Sequence, residues 1–274
     1  MGNCDCFSGT PGDKSHQSAG SVKRLHNFDV YQVKTSFGDS KGEILLLPDA
    51  FGLAKHNMIL ADHLSTHGYN VTILDYYQGK ALPEALMDYV PGTDLDSSDQ
   101  FTEEEKNAIR GVDVTRWSQD VDPVRVHELV VPFIVEMKAS LQPATKLHIL
   151  GHCFGGRQAF ELASNVQLIT SIVIMHPAPY ELKDVKSFGV PLFVGLAVVK
   201  VFTMQNLEND MFAPAATKTL PEAMKDTEVY YKFAIYGGTQ HGFASRSDPQ
   251  DELAEKAYRS SIKDTIYWIS QFSN

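Results

Sequence analysis

The stretch LHILGHCFGGRQAF, residues 147–160, decides the fold. Its first half is a short apolar, β-forming run of the kind buried on both faces of a parallel sheet, and its second half has the composition of a helix. Between them sits Cys153, with Gly151 two residues before it and Gly155 two residues after. A lone cysteine is most often a small buried hydrophobe. A cysteine between two glycines at a strand-to-helix junction has a second reading, as a nucleophile held at a sharp turn whose glycines leave room for the neighbouring strand and helix.

The surrounding sequence supports that junction. FDVYQVKTS (28–36) alternates with period two, as a half-buried antiparallel strand does, and GEILLLPDAFG (42–52) is a continuous apolar run closed by Pro, Asp and Gly. NMILADHLSTHGY follows as a helix with Ile59, Leu60 and Leu64 on its apolar stripe and Gly68 at its stop, and NVTILDYY (70–77) reads as the next strand. Strand, helix and strand with short joins form a βαβ unit and require a parallel sheet. The rhythm breaks over 79–120, an acidic excursion expected to be partly helical and a candidate lid. It resumes with a helix over 122–141, the strand and helix of the opening stretch, a strand over 169–177, a strand over 190–199, a helix near 214–225, a strand over 228–238 and a closing helix over 250–272. The reading is one α/β domain over 1–274, with residues 1–25 as an N-terminal extension and a mostly parallel central sheet flanked by helices on both faces.

In that setting G-H-C-F-G matches the nucleophile elbow of α/β-hydrolases, G-x-Nuc-x-G, with cysteine in place of serine. The positive end of the following helix is expected to lower the thiol pKa. Chain order in this fold runs nucleophile, acid, histidine, which selects His241 in YGGTQHGFASR, after the last strand and before the last helix. His152 and His176 fall near the elbow and a strand end and could line the pocket, although an ordinary partly buried histidine is the more economical reading of each. No His, Cys, Asp and Glu set has zinc spacing, and no phosphate-cradling glycine motif is present, so cofactor-free hydrolysis is expected.

Three blocks, LLPDAFGLAKHNMILADHLSTHGYNVTILDYYQG, LGHCFGGRQAF and YGGTQHGFASR, resemble the dienelactone hydrolases and their carboxymethylenebutenolidase-like relatives, as does the short CDCFSGTPG start. The resemblance covers most of the chain and implies an α/β-hydrolase fold with Cys153 as nucleophile, His241 as base, and the backbone N–H groups of Ala50 and Phe154 as oxyanion hole. It also implies an accessory carboxylate near the nucleophile. Asp49 stands there, one methylene shorter than the family's usual glutamate. The third triad member belongs to a D-x-x-x-P setting, which NDMFAP meets with Asp210 and Pro214, about ten residues late behind VVKVFTMQNLEN. If Asp210 does not return to His241, the site is misassembled and Glu208 or nothing substitutes. Arg246 matches a substrate-binding arginine shifted by one residue, with a solvated surface arginine as the alternative, and Phe51, Tyr76, Tyr77 and Phe243 are candidate pocket walls.

The implied chemistry is hydrolysis of a small ester or lactone through a thioester acyl-enzyme. Two other readings stand beside it: a non-catalytic small-molecule-binding protein on a hydrolase scaffold, and a thiol redox sensor, disfavoured because no resolving cysteine lies nearby. The net charge of -10 argues against a nucleic-acid partner. The longest apolar run is too short to span a membrane. The start lacks a secretory signal, and three cysteines do not suggest a disulfide framework, so a cytoplasmic monomer or homodimer is expected. Gly2 with Cys4 and Cys6 falls short of a lipidation motif at its last position.

Overall fold

The structure is a computed structural model that describes residues 7, 9–10, 12–180, 185–198 and 220–273. Its centre is an eight-stranded sheet, made of β1 (Ser21–Leu25), β2 (Phe28–Val33), β3 (Glu43–Leu47), β4 (Asn70–Leu74), β5 (Leu147–His152), β6 (Ser171–Met175), β7 (Leu192–Val198) and β8 (Tyr231–Gly237). The strand order is β1-β2-β4-β3-β5-β6-β7-β8. β2 lies antiparallel to both β1 and β4, and every other pairing is parallel.

Continuous apolar runs become strands covered on both faces because alternate side chains leave opposite sides of the sheet. Leu45 and Leu47 of β3, with Leu147 and Ile149 of β5, pack beneath α4 (Pro123–Ser140) and α5 (Phe154–Glu161). Ile44, Leu46 and Leu150 point the other way, under α1 (Lys55–Ser65) and α6 (Glu252–Ser270), where Leu60, Leu64, Ile262 and Trp268 meet them. Caps sharpen the helix starts: Asp122 accepts from Val124 and Arg125, and Asp251 from Leu253 and Ala254. Gly68, at φ 96, ends the turn after α1.

The excursion over 79–120 is indeed partly helical. It holds a 3-10 turn at Glu84–Leu86, α2 (Glu103–Arg110), which Thr102 and Glu105 start with a capping box, and α3 (Val114–Asp120). Several boundaries differ from the sequence reading by a few residues, and two of the differences have a clear local cause. The strand expected to reach residue 77 ends at Leu74, because the Asp75 carboxylate accepts the N–H groups of Tyr77 and Gly79 and folds the chain into a turn. The extension over 1–25 contains β1, joined to β2 through His26 and Asn27 at φ 48 and 67. Positive φ at both central residues is the two-residue hairpin turn that matches strand twist.

The rest of the N-terminal segment lies on the protein. The Thr10 N–H donates to the Arg246 carbonyl at 3.1 Å, the Lys55 ammonium donates to the His16 carbonyl at 2.6 Å, and the ring of Phe7 meets Trp117 edge-on at 6.3 Å. Gly2, Cys4 and Cys6 fall outside the described residues, as does most of the helix expected near 214–225, of which residues 220–224 are helical. No helix among the described residues is long and apolar enough to cross a membrane.

Candidate active site

The functional side chains gather at the carboxyl ends of the parallel strands, where open α/β sheets place their ligands. Cys153 follows β5 directly and has φ 52 and ψ -115, a conformation sparsely populated by side-chain-bearing residues. The glycines that flank it are required by close approach. An ideal Cβ on Gly155 would lie 1.9 Å from the Leu47 carbonyl oxygen, and one on Gly151 would lie 2.4 Å from the Gly155 oxygen. Both obstacles are backbone, so neither can rotate away. Gly155→Ala is therefore expected to lower unfolding stability by about 3 kcal/mol, the upper end of ordinary overpacking. Urea titration measures this, and a midpoint equal to wild type would contradict the tight elbow.

The backbone N–H groups of Ala50, in the loop after β3, and Phe154, the first residue of α5, both act to lower the Cys153 thiol pKa. The sequence expectation named these two groups as oxyanion donors, and both act on the Cys153 sulfur. The thiol itself behaves contrary to the helix-dipole expectation. Burial pushes its pKa up to about 11, with the Asp49 carboxylate adding to the rise, while Arg246 and the two N–H groups oppose it. Desolvation of a thiolate that is 7% exposed outweighs the field of one helix terminus.

Asp49 is fully buried and surrounded by donors. Its Oδ2 accepts from Arg246 Nη1 at 2.7 Å, lies 3.0 Å from His56 Nε2 and accepts from Ser245 Oγ at 3.4 Å. Its Oδ1 accepts from the Asn57 amide at 3.0 Å and the Phe51 N–H at 3.2 Å. Burial alone would raise this carboxyl, but His56, Arg246 and Asn57 together hold it well below the usual carboxylate range. Arg246 is thus turned inward, its guanidinium 5.3 Å from the Phe51 ring centroid and its side chain fully buried, so the surface-arginine alternative is wrong. Sequence reasoning missed His56 and Asn57, whose available signal was their spacing of seven and eight residues after Asp49, on the first turn of the helix that follows the Asp49 loop.

His241 follows β8 and is partly buried; desolvation lowers its pKa to about 3, helped by Arg246. Its ring stands 5.0 Å from that of His176. Beside it lies a cavity of about 310 Å³ whose lining includes Gly9, Thr10, His241, Phe243 and Arg246. Phe51, Tyr76, Tyr77 and Phe243 are all buried. The Tyr76 hydroxyl donates to the Pro48 carbonyl, and the rings of Tyr76 and Tyr77 pack on Phe154 at 5.9 and 5.8 Å. Asp210, Glu208 and Pro214 lie outside the described residues. Among the described residues, no group of three or more His, Cys, Asp or Glu side chains could hold a metal ion.

The model of the dienelactone hydrolase family matches residues 29–273. The chain belongs to that family. It is a hydrolase acting on ester bonds, which settles the choice between enzyme and binding protein. Among curated relatives it is 23% identical over 257 residues to hydrolase pyvD of Aspergillus violaceofuscus, covering 93% of this chain and 91% of the relative. It is 20% identical over 255 residues to dienlactone hydrolase 1 of Gibberella moniliformis, covering 92% and 88%. The dienelactone hydrolase structure from Anabaena variabilis superposes with a TM-score of 0.57 at 12% identity over 93% of this chain and 99% of that one, a likeness of fold.

Proposed function

We propose that the protein hydrolyses a small-molecule ester or lactone with Cys153 as nucleophile, through a thioester acyl-enzyme. The observation that carries this reading is the strained placement of Cys153 between β5 and α5, where the Ala50 and Phe154 backbone N–H groups both favour its thiolate. Two preorganised donors at one point are what a developing oxyanion needs, and removing one such donor from an acyl-transfer enzyme typically costs 10²–10³ in rate.

In the resting site the thiol is protonated and His241 is neutral, as their raised and lowered pKa values require. Entry of a carbonyl oxygen between the two N–H groups displaces the sulfur from them. His241 accepts the thiol proton as the sulfur attacks, and the tetrahedral oxyanion takes over both hydrogen bonds. The intermediate collapses with loss of the alkoxide, which receives the proton from His241; in a lactone that alkoxide stays on the same molecule. His241 then takes a proton from water, which attacks the thioester and releases the acid and the thiol. Asp210 is assigned the role of orienting His241, and Asp49 that of holding the thiol protonated until substrate arrives. The cavity beside His241 provides a route for water or leaving group, with the segment over 79–120 as the lid.

The test is turnover of 4-nitrophenyl butyrate and of a panel of small lactones by wild type and by Cys153→Ala. Loss of activity by at least 10³-fold in a folded variant, and a covalent adduct of acyl mass on wild-type Cys153, are expected. Turnover retained by Cys153→Ala would remove the cysteine from the mechanism.

A further inference from the structure

Three histidine rings meet beside the nucleophile, and the middle one has no role in the scheme above. His176 lies 5.2 Å from His152, 5.0 Å from His241 and 5.7 Å from Phe243, with interplanar angles of 69°, 73° and 66°. It is 2% exposed, and among the described residues neither of its ring nitrogens has a hydrogen-bond partner; nor has Nδ1 of the equally buried His152. A buried polar atom left without a partner is costly, because it has given up its bonds to water for nothing. His176 also sits at φ 37, which is uncommon for a residue with a side chain. An apolar ring would pack against the same neighbours without open nitrogens, so packing alone does not account for a histidine here.

Its place in the sheet says what it faces. The register pairs His152 with Met175; the Cys153 N–H donates to the Met175 carbonyl at 3.2 Å, and the Ala178 N–H donates to the Cys153 carbonyl at 2.8 Å. His176 is therefore abreast of the nucleophile, one strand over. Its own N–H donates to the Gly195 carbonyl of β7 at 2.8 Å, fixing the backbone between the two strands. Burial, together with His241, His152 and Arg246, keeps the ring neutral, so it presents one donor and one acceptor. A hydroxyl group, which both donates and accepts, can meet either nitrogen. The acyl part of an ester stays attached to Cys153 through both half-reactions, and His176 stands one strand over from that cysteine.

We propose that His176 is a specificity-determining residue whose ring hydrogen-bonds a hydroxyl carried by the acyl portion of the substrate. This rests on the reading of Cys153 as the nucleophile. A site built to hydrogen-bond a substrate hydroxyl discriminates strongly against the analogue that lacks it, because the site's own polar atoms are then left unpaired.

The experiment compares kcat/KM for 4-nitrophenyl butyrate with that for the 4-nitrophenyl esters of 2-, 3- and 4-hydroxybutyrate. Wild type is expected to prefer at least one hydroxylated ester by about tenfold or more. His176→Phe, which keeps a ring and removes both nitrogens, is expected to reduce that preference to about threefold or less while turning over the plain butyrate within about threefold of wild type. His176→Leu serves with the same readings if the phenylalanine variant does not fold. Absence of any preference in wild type, persistence of the preference in the variants, or an equal loss on all four esters would each overturn the proposal. Cys153→Ala is run alongside: activity surviving there defeats the nucleophile assignment, a result distinct from any change in preference at His176.

Discussion

Asp49→Asn is expected to make the Cys153 thiol more reactive and the protein less stable at once. Both effects follow from one buried carboxylate. Asp49 raises the thiol pKa while Arg246 lowers it, and the two are held together at 2.7 Å with fully buried side chains. Replacing the carboxylate by an amide removes the negative charge that disfavours thiolate and leaves the guanidinium beside the sulfur uncompensated. The thiolate fraction rises, and alkylation by iodoacetamide at pH 8 is expected to accelerate about tenfold or more, since two charges a few ångströms apart interact by several kcal/mol at an effective dielectric near 20. The same change strands a buried positive charge, which costs about 3–5 kcal/mol of stability. Alkylation rates and urea midpoints measured on the same preparations separate the two effects. An unchanged alkylation rate would mean that Asp49 does not control the thiol.

The fold was legible where the sequence repeats one physical pattern for several residues. EILLL of β3 and the first residues of β5 are apolar without interruption because helices cover them from both sides. β1 shows the opposite case: four of its five residues are exposed, so no apolar period marks it. Its existence depends on backbone pairing with β2, and its sequence signal is the His26–Asn27 turn, which tolerates positive φ without carrying the glycine that usually announces a hairpin. The end of β4 was overrun for a related reason, since Tyr76 and Tyr77 have β-forming side chains but the preceding Asp75 carboxylate binds the backbone beyond it.

The positions of Cys153 and His241 at strand ends were legible because topology fixes where such strands end, and the glycines around Cys153 report backbone contacts that no side chain can share. The surroundings of Asp49 were not. Its pairing with Arg246 spans 197 residues of sequence, and its contacts with His56 and Asn57 depend on how the loop after β3 enters α1. Local pattern carries no information about either. The thiol pKa was misjudged in the same way: the helix terminus is visible in the sequence, whereas the burial that outweighs it exists only once the chain has folded around the sulfur.

Acidification from pH 7 to pH 5 is expected to unfold the protein, driven by histidines folded in their neutral form. His148 and His152 have pKa values lowered to about 4 by burial, His241 to about 3, and His176 lies well below its ordinary value for the same reason. In the unfolded chain each titrates near 6.5, so between that pH and the folded value the unfolded state binds more protons and stability falls as pH falls. At pH 5 each histidine contributes a loss of about 2 kcal/mol, and the four together about 8 kcal/mol, comparable with the entire stability of an ordinary domain. Glu43 and Asp75 act in the opposite sense, because burial raises their pKa and protonation near pH 4 favours the folded form. Asp49 adds a loss only as pH falls below the ordinary carboxylate value, outside this window. Unfolding free energies from urea titrations at pH 7, 6 and 5 are therefore expected to fall with a limiting slope of about 5 kcal/mol per pH unit, the signature of four protons taken up on unfolding. His176→Phe removes one of those protons and reduces the slope by about a quarter, whether or not its ring reads the substrate. A stability that stays level between pH 7 and pH 5 would mean that these rings accept protons in the folded state, and with it the neutral base assigned to His241 at rest would fail.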